Sequence, residues 1–547
     1  MISNLPIASS VISTSICNRL SPANRHLLVS LALSGLFVVL LCLIFNPRWE
    51  TNDDVAMSMV AHGYGGAAYG SPRLIFSNVL WGAAVRGLPA IDGLLGYSIA
   101  TLLSLTLAGA ATLYFLLRTG AGYTLGLLVL AVVFARPVLF PQFTMTAGLL
   151  AVATVLGVRA YDRDGSLFNL IAACCLGFLA YLIRAPEFAL VVGVGLPLLP
   201  WRTLVRSRAA WLAASGLAAC IASAAIIDVW AYSGPEWQDF SQLNWARAQF
   251  TDFGAVDRVL QHPDVMQRLG LSENDVRLIG NWFFVDPRLA NPELLKTLLG
   301  EIPIQTTKTS FASGYASVLL MFSPHLLPLS LVGSFLLVLL ITPSRLLAWG
   351  ACLLAMFALG AVGRADVVRV YIPLFSLLIV IPCATASLQA RWRYGTVICI
   401  LFVGSLMNAG QLAKEVAASD RLLQQARPGK FVSRESTVVW GATLPFEYIF
   451  PVFTREADIR DTRIYGLGVF TRAPFSVPAA DELAGKGLLA RLQSEAGIQL
   501  IAGSYYQSLL NTYCVEHYGT SLRLSLEKKM ELWTVINASC APVEGAQ

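Results

Sequence analysis

Charged side chains are scarce in this chain. Asp, Glu, Lys and Arg make up 13% of its 547 residues, whereas soluble domains contain about 25%. Hydrophobic residues account for 56% of the chain, and the mean hydropathy is +0.63. This balance excludes an ordinary soluble protein and indicates a polytopic membrane protein. The net charge of +6 is spread over short loops, so it reports membrane topology and gives no indication of nucleic-acid binding.

Metal-binding cysteine patterns are also missing. The ten cysteines show no CxxC or Cys/His spacing of the kind that binds zinc, and most of them lie inside apolar runs, where a thiol behaves as a small hydrophobic group. Cys514 and Cys540 stand apart in a polar C-terminal region. If that region is outside the cytoplasm, these two residues could form a disulfide.

The chain contains many long apolar runs. We predict about 11 membrane-spanning helices from them. The runs lie near residues 27–45, 94–117, 121–135, 139–158, 167–183, 187–200, 209–229, 323–342, 346–362, 370–389 and 394–409. Arg19 and Arg25 precede the first run, which places the N-terminus in the cytoplasm by the positive-inside rule. The same rule agrees with the basic turns between later runs.

The predicted fold is therefore a polytopic α-helical membrane protein with a small α/β C-terminal domain. Its parts are a cytoplasmic leader (1–26), a transmembrane domain (27–410) with extracytoplasmic loops at 47–93 and 230–312, and an extracytoplasmic C-terminal domain (411–547). The C-terminal domain combines strand-like segments at 436–440 and 531–536 with helical ones at 480–493 and 505–517. In the second loop, Ser272 with Asp275 three residues later indicates a capped helix start.

Three acids follow the first apolar run within six residues, in the segment Trp49–Asp54. The uncharged stretch after them predicts a short helix along the membrane surface, capped by Asn52 or Asp53. Adjacent residues of a helix point about 100° apart, so one of Asp53 and Asp54 could face a cleft while the other caps the helix or orients its neighbour. The alternative is that these acids are only the solvated edge of a loop.

Three arginines, Arg184, Arg364 and Arg369, fall on the predicted outer side, against the positive-inside trend. Arginine at membrane depth is costly unless it is paired or binds an anion, and its planar guanidinium suits phosphate oxygens. One interpretation is that the three converge on the phosphate of a lipid-linked substrate. The other is local pairing, of Arg184 with Glu187 and of Arg364 or Arg369 with Asp366.

Other polar residues are weaker candidates for the same cavity. His62 and His325 lie on the predicted outer side, and histidine is a residue type often used in proton transfer. Arg73 and Arg136 could line the cavity as well. A structural role is the alternative for each histidine. In the tail, Trp440, Tyr505 and Tyr506 could stack on sugar rings, although aromatic residues of a small domain usually belong to its core.

This layout resembles that of the GT-C glycosyltransferases, above all bacterial members that use polyprenyl-phosphate sugars. The resemblance covers most of residues 27–410. It is carried by Asn52–Asp54, by the stretch Ser71–Asn78 after the Gly-rich loop, by Arg184 and by Leu271–Asp286.

The resemblance implies a hexosyl- or pentosyltransferase in the cytoplasmic (inner) membrane that works on its periplasmic face. Its partners would be a polyprenyl-phosphate sugar donor and an envelope acceptor, which could be a glycolipid, a polysaccharide or a protein. Asp53, or else Asp54, would act as general base on the acceptor hydroxyl. Arg184, Arg364 and Arg369 would bind the donor phosphate. No cofactor is expected; Asp239, Asp252 and Asp275 could contribute to a divalent-metal site, but we predict none.

Two other function classes fit the composition. A transporter or flippase of a lipid-linked sugar would use the same arginines as a substrate path, without bond chemistry, but broken helices in two matching halves are not visible in the sequence. A non-catalytic scaffold of envelope assembly is the third class. Replacing the acids distinguishes the three, because only a transferase requires them for a glycan product.

Overall fold

The computed structural model describes residues 21–302, 307–365, 367–386, 390–426, 433–459 and 462–541. Most of the predicted leader lies outside these residues, and so does Asp366. The first ten helices are α1 (Pro22–Ile44), α2 (Asn52–His62), α3 (Val79–Gly87), α4 (Gly96–Arg118), α5 (Tyr123–Val133), α6 (Ala135–Leu139), α7 (Phe143–Asp164), α8 (Leu167–Gly195), α9 (Trp201–Arg206) and α10 (Arg208–Ala231).

Of the next ten helices, the first five lie in the predicted second loop and the last five lie mostly in the later apolar runs. They are α11 (Pro235–Thr251), α12 (Ala255–Val259), α13 (Pro263–Arg268), α14 (Glu273–Gly280), α15 (Pro292–Glu301), α16 (Thr307–Leu319), α17 (Leu327–Leu339), α18 (Pro343–Ala361), α19 (Val368–Ala386) and α20 (Arg391–Ala426). Helix α14 has the predicted capping box, in which Ser272 accepts from the Asp275 N–H.

Eight helices of the described chain are long and apolar enough to cross a membrane, or nine if one pair bent by 85° forms a single span. The expected count of eleven is therefore not confirmed. The runs at 167–183 and 187–200 form one broken helix, α8. The run at 121–135 contains only the 11-residue α5, about 17 Å long at 1.5 Å per residue, which is too short to cross the bilayer alone.

Helix α7 forms the centre of the helical bundle. It is the most enclosed of the candidate spans, with 89% of its apolar window buried, whereas the figure is 17% for α1 and 11% for α10. Small residues let neighbouring helices approach α7 closely: a Cβ on Gly157 would lie 2.8 Å from the side chain of Ala173 on α8. Helices α1 and α10 thus present apolar surface outward, as lipid-facing helices do.

Helix α20 carries the chain from the bundle into the C-terminal domain. It has 36 residues, about 54 Å at 1.5 Å per residue, so the domain boundary expected at residue 411 falls inside a continuous helix. The first strand of the tail begins at Ser433.

The tail (residues 433–541) is the predicted α/β domain. Its strands β1 (Ser433–Trp440), β2 (Thr462–Leu467), β3 (Ile498–Ile501), β4 (Arg523–Lys529) and β5 (Thr534–Ser539) form one sheet in the order β2-β1-β3-β5-β4. Strands β2, β1 and β3 are parallel, and β5 and β4 continue the sheet antiparallel. Its helices are α21 (Phe446–Ile449), α22 (Glu456–Ile459), α23 (Val477–Leu483), α24 (Leu488–Leu492) and α25 (Ser504–Tyr518).

Two local predictions for the tail have different outcomes. Cys514 and Cys540 form a disulfide with Cα atoms 5.7 Å apart, as proposed from the sequence. The helix expected at 480–493 is divided into α23 and α24, because Gly485 between them adopts a positive φ of 69°, which ends a helix.

Candidate active site

The acid pair lies at the start of the predicted surface helix. Helix α2 begins at Asn52, with Thr51 at the N-cap, so neither Asn52 nor Asp53 is the cap. Both aspartates are in the first turn, where the helix dipole stabilises negative charge. The helix ends at Gly63, whose φ of 72° is the left-handed conformation of a helix C-terminus.

The two aspartates have different environments, as the helical period requires. Asp53 lines a cavity and has about a third of its side chain exposed. Asp54 is fully buried and accepts hydrogen bonds from the Tyr97 hydroxyl at 2.9 Å and the Phe143 N–H at 3.0 Å. Burial raises the pKa of Asp54 well above its usual value. Asp54 therefore anchors α2 to the bundle, and the geometry leaves contact with a substrate to Asp53.

The cavity has a volume of about 590 Å³ and lies between the helical bundle, the second loop and the tail. Its charged lining side chains are Asp53, Arg184, Glu187, Asp252, Arg364 and Arg369. All three arginines that departed from the positive-inside trend thus reach the cavity that Asp53 lines. A shared location of the three arginines was one of the two interpretations that the sequence left open.

Two ion pairs inside the cavity join residues that are far apart in the chain. Arg369 lies 3.5 Å from the Asp53 carboxylate, and Arg364 lies 3.3 Å from Asp252. The alternative partner Asp366 is outside the described residues. Arg369 thus joins α19 to α2. Arg364, in the turn before α19, joins that turn to the residue after α11.

Arg184 occupies the break in α8. Its φ of −157° and ψ of 92° are not helical, and Pro186 follows two residues later. A proline inside a helix removes one N–H donor and frees carbonyl groups upstream. The freed carbonyl oxygens of Leu182 and Ile183 accept from the Asn78 N–H at 2.9 Å and the Ser77 hydroxyl at 2.7 Å. The 71–78 stretch thus stabilises the break.

The guanidinium of Arg184 is held by the same stretch and by aromatic rings. It donates to the Phe76 carbonyl at 3.0 Å and lies over the rings of Phe76 and Phe143, 5.8 and 5.4 Å from their centroids. Glu187, its expected alternative partner, is 3% exposed, and one of its carboxylate oxygens has no hydrogen-bond partner in the described chain. Among the described residues, no carboxylate forms a salt bridge with Arg184, which is oriented by the Phe76 carbonyl and the two rings.

The four weaker candidates do not line the cavity. Each is held by a structural interaction. His62 accepts the Tyr97 N–H at 3.1 Å, Arg73 donates to the Ala231 carbonyl at 2.7 Å, Arg136 pairs with Glu50 at 2.9 Å and with Glu415, and His325 lies 3.0 Å from Glu415. None of the four is among the residues that line this cavity, and a role for them in substrate binding stays a prediction.

The tail contributes a wall that sequence reasoning missed. The cavity is lined by Gly441 and Ala442 after β1, and by Gly466 and Gly468 at the end of β2. These positions are the carboxyl ends of two neighbouring parallel strands, where open α/β sheets bind ligands. A glycine-rich segment directly after a strand was the available signal in the sequence.

Backbone hydrogen bonds connect this wall to the loop that follows helix α2. The Gly65 N–H donates to the Thr462 carbonyl at 3.0 Å, and the Ile464 N–H donates to the Gly65 carbonyl at 2.8 Å. Gly65 follows α2 by three residues, so the Gly-rich loop extends the edge of the tail sheet beside β2. The position of Asp53 relative to the tail is thereby fixed.

Among the described residues, no group of three possible metal ligands lies in the cavity. The one group of three possible ligands among the described residues is Asp275, Glu516 and His517, where α14 meets α25. There the His517 ring is 3.0 Å from Asp275. Asp252 lines the cavity but pairs with Arg364. The expectation of a metal-independent site stays a prediction.

No protein-family model and no curated protein matches the chain. The solved structures that are similar to it include the crystal structure of ArnT from Cupriavidus metallidurans bound to undecaprenyl phosphate and that of the same protein in the apo state. Both are 12% identical to this chain; they cover 94% and 96% of it, over 99% and 100% of their own length, with TM-scores of 0.36 and 0.37. Similarity at this level does not transfer an activity or a residue role to this chain. Its function is therefore argued from the residues of this site.

Proposed function

We propose that the protein is a membrane glycosyltransferase of the GT-C type that moves a sugar from a polyprenyl phosphate to a hydroxyl group of an envelope acceptor. The observation that carries this proposal is the 3.5 Å contact of Asp53 with Arg369 inside a cavity that Arg184 and Arg364 also line. A carboxylate that can take up a proton and cations that can bind a phosphate thus share one space.

The three arginines supply the site for the donor phosphate. Guanidinium groups bind phosphate oxygens in a planar, bidentate geometry, and they lie beside apolar helices from which a lipid can enter. Arg184 is the strongest case, because it lies within an apolar helix and has no salt-bridge partner among the described residues, and an anionic ligand best explains such an arginine.

Asp53 performs the proton transfer. Its carboxylate accepts the proton of the acceptor hydroxyl while the hydroxyl oxygen forms a bond to the anomeric carbon of the sugar. The bond from that carbon to the phosphate oxygen breaks, and its electron pair stays on the lipid phosphate. Positive charge from the arginines stabilises the phosphate as it leaves. Asp54 acts as a positioning residue through its contacts with Tyr97 and Phe143.

The same proposal places the cavity on the extracytoplasmic face of the cytoplasmic membrane. The Cys514–Cys540 disulfide of the tail supports it, because disulfides persist in oxidising compartments. The tail also forms one wall of the cavity, so cavity and tail belong to the same side of the membrane.

Complementation of a gene deletion tests the proposal. Wild type, Asp53→Asn and Asp92→Asn are returned at matched membrane abundance, and the envelope glycans are profiled. Asparagine keeps the size of aspartate but cannot accept a proton, so we expect Asp53→Asn to reduce one glycan by about 10²- to 10⁴-fold. Asp92 is a surface acid of the same loop, 85% exposed, and its variant should behave as wild type. Full restoration by Asp53→Asn would refute the catalytic role and favour a flippase.

A further inference from the structure

We propose that the indole ring of Trp282 is the surface against which the transferred sugar packs. This inference rests on the proposed function and extends it to the recognition of the sugar. Trp282 lies in the second loop directly after α14, and its half-buried ring lines the same cavity as Asp53.

The backbone of Trp282 adopts a conformation that a tryptophan rarely has. Its φ is 68°, in the left-handed region, which costs a bulky residue about 1–2 kcal/mol. Such strain persists only where the surroundings impose it, and it is concentrated at functional sites. Both neighbours impose it here: the Asn281 carbonyl accepts from the Trp440 indole N–H at 2.6 Å, and the Phe283 ring stacks on Trp440 at 5.1 Å.

This arrangement also gives Trp440 its role. Trp440 is fully buried between Phe283 and Tyr506, so it cannot contact a sugar, and the stacking function considered for it from the sequence is wrong. Its ring instead fixes the two residues beside Trp282. The tail thereby orients an aromatic side chain of the second loop toward the cavity.

One face of the Trp282 ring is already occupied. The guanidinium of Arg247 lies 4.4 Å from the ring centroid. Arg247 is 4% exposed, donates to the Val469 carbonyl at 3.3 Å, and has its pKa lowered to about 10 by burial. A buried cation behind an aromatic ring holds the ring in place, so the remaining ring surface is available to a ligand in the cavity.

Space for a flat ligand is present at the tail wall. Gly466 and Gly468 line the cavity, and a Cβ at either position would meet no atom within 4 Å. Val469, the residue next to Gly468, is the one whose carbonyl accepts from Arg247. A sugar ring has an apolar face of C–H groups and an edge of hydroxyls, which suits an aromatic ring on one side and open backbone on the other.

Binding measurements on the full chain in lipid nanodiscs test this inference. The probes are undecaprenyl phosphate and the same lipid phosphate carrying glucose, galactose or arabinose. Wild type should bind one glycoside more tightly than the bare lipid phosphate. Trp282→Ala should lose about three- to tenfold of this preference, the range of one aromatic packing contact, and should bind the bare lipid phosphate as wild type does.

Three further variants control for folding. Trp282→Phe keeps a ring and should retain most of the preference, and Trp282→Asn removes the ring while tolerating the left-handed backbone. Trp245→Ala removes a tryptophan that is 81% exposed on α11 and should change nothing. An unchanged preference in both Trp282→Ala and Trp282→Asn would overturn the inference, as would a wild type that gains nothing from any of the sugars. A wild type that does not bind undecaprenyl phosphate would instead refute the proposed function.

Discussion

The carboxylate of Asp53 and the guanidinium of Arg369 lie 3.5 Å apart, although one belongs to the first loop and the other to α19, near the end of the membrane region. The nearby pair of Arg364 and Asp252 repeats this arrangement at 3.3 Å. Two cations of the proposed phosphate site are thus balanced by carboxylates. A phosphate that binds them has to share or replace these acids as partners.

Replacing Arg369 should weaken donor binding. Hydrogen bonds to charged groups contribute about 1.5–3 kcal/mol, so we expect Arg369→Gln to raise the KM for a polyprenyl-phosphate sugar about 10- to 100-fold in a transfer assay with the purified protein. Arg369→Lys keeps the charge but lacks the planar fork and should lie in between. Arg455→Gln, in an exposed pair with Asp92, is the control. A KM unchanged in Arg369→Gln would remove this residue from the phosphate site.

In the loop that contacts the tail sheet, two adjacent glycines should differ in how much an alanine substitution lowers stability. Gly65 has a φ of 57°, and a Cβ there would lie 2.7 Å from the Met59 sulfur; at Gly66 the nearest atom would be 3.9 Å away. We expect Gly65→Ala to lower stability by about 1–3 kcal/mol and to reduce transfer, because helix α2 loses its fixed position. Gly66→Ala should be nearly neutral. Thermal unfolding of both variants in detergent checks this, and equal melting temperatures would contradict it.

Replacing Arg136 should lower the stability of the protein without directly changing the transfer reaction. It is almost buried and joins Glu50, just before α2, to Glu415 on α20. Removing one partner of a buried ion pair costs about 3–5 kcal/mol, so Arg136→Met should lower the melting temperature strongly. Adding Glu415→Gln should recover part of the loss, because fewer unpaired charges remain. If Arg136→Met were as stable as wild type but inactive, the cavity role assigned from the sequence would be restored.

The stability of the protein should depend on pH through His62. Burial lowers the pKa of the ring below its usual value of 6.5, so the unfolded chain takes up a proton before the folded one does. Stability from the neutral ring is complete above about pH 6.5 and is lost as the pH falls below it. Protonation also removes the acceptor of the Tyr97 N–H, which borders the Asp54 contact. Melting temperatures between pH 7.5 and 5.5 should fall less in His62→Gln than in wild type, and parallel curves would refute this.

The sequence by itself determined the features that depend on local physics. Apolar runs identified the membrane helices, the helical period separated Asp53 from Asp54, and Ser272 with Asp275 marked the start of α14. The strand and helix patterns after residue 433 identified the α/β tail. These predictions succeeded because hydrophobicity, capping and side-chain periodicity act within a few residues.

Only the tertiary structure decided which distant groups meet. It paired Arg369 with Asp53 and Arg364 with Asp252, and it assigned Arg136 to a structural ion pair. It also buried Trp440 and placed Trp282 among the aromatic residues that line the cavity. Each of these outcomes depends on how the bundle, the second loop and the tail pack together. A residue's own neighbours in the chain do not encode that packing, because the free energy of a long-range contact belongs to two segments at once.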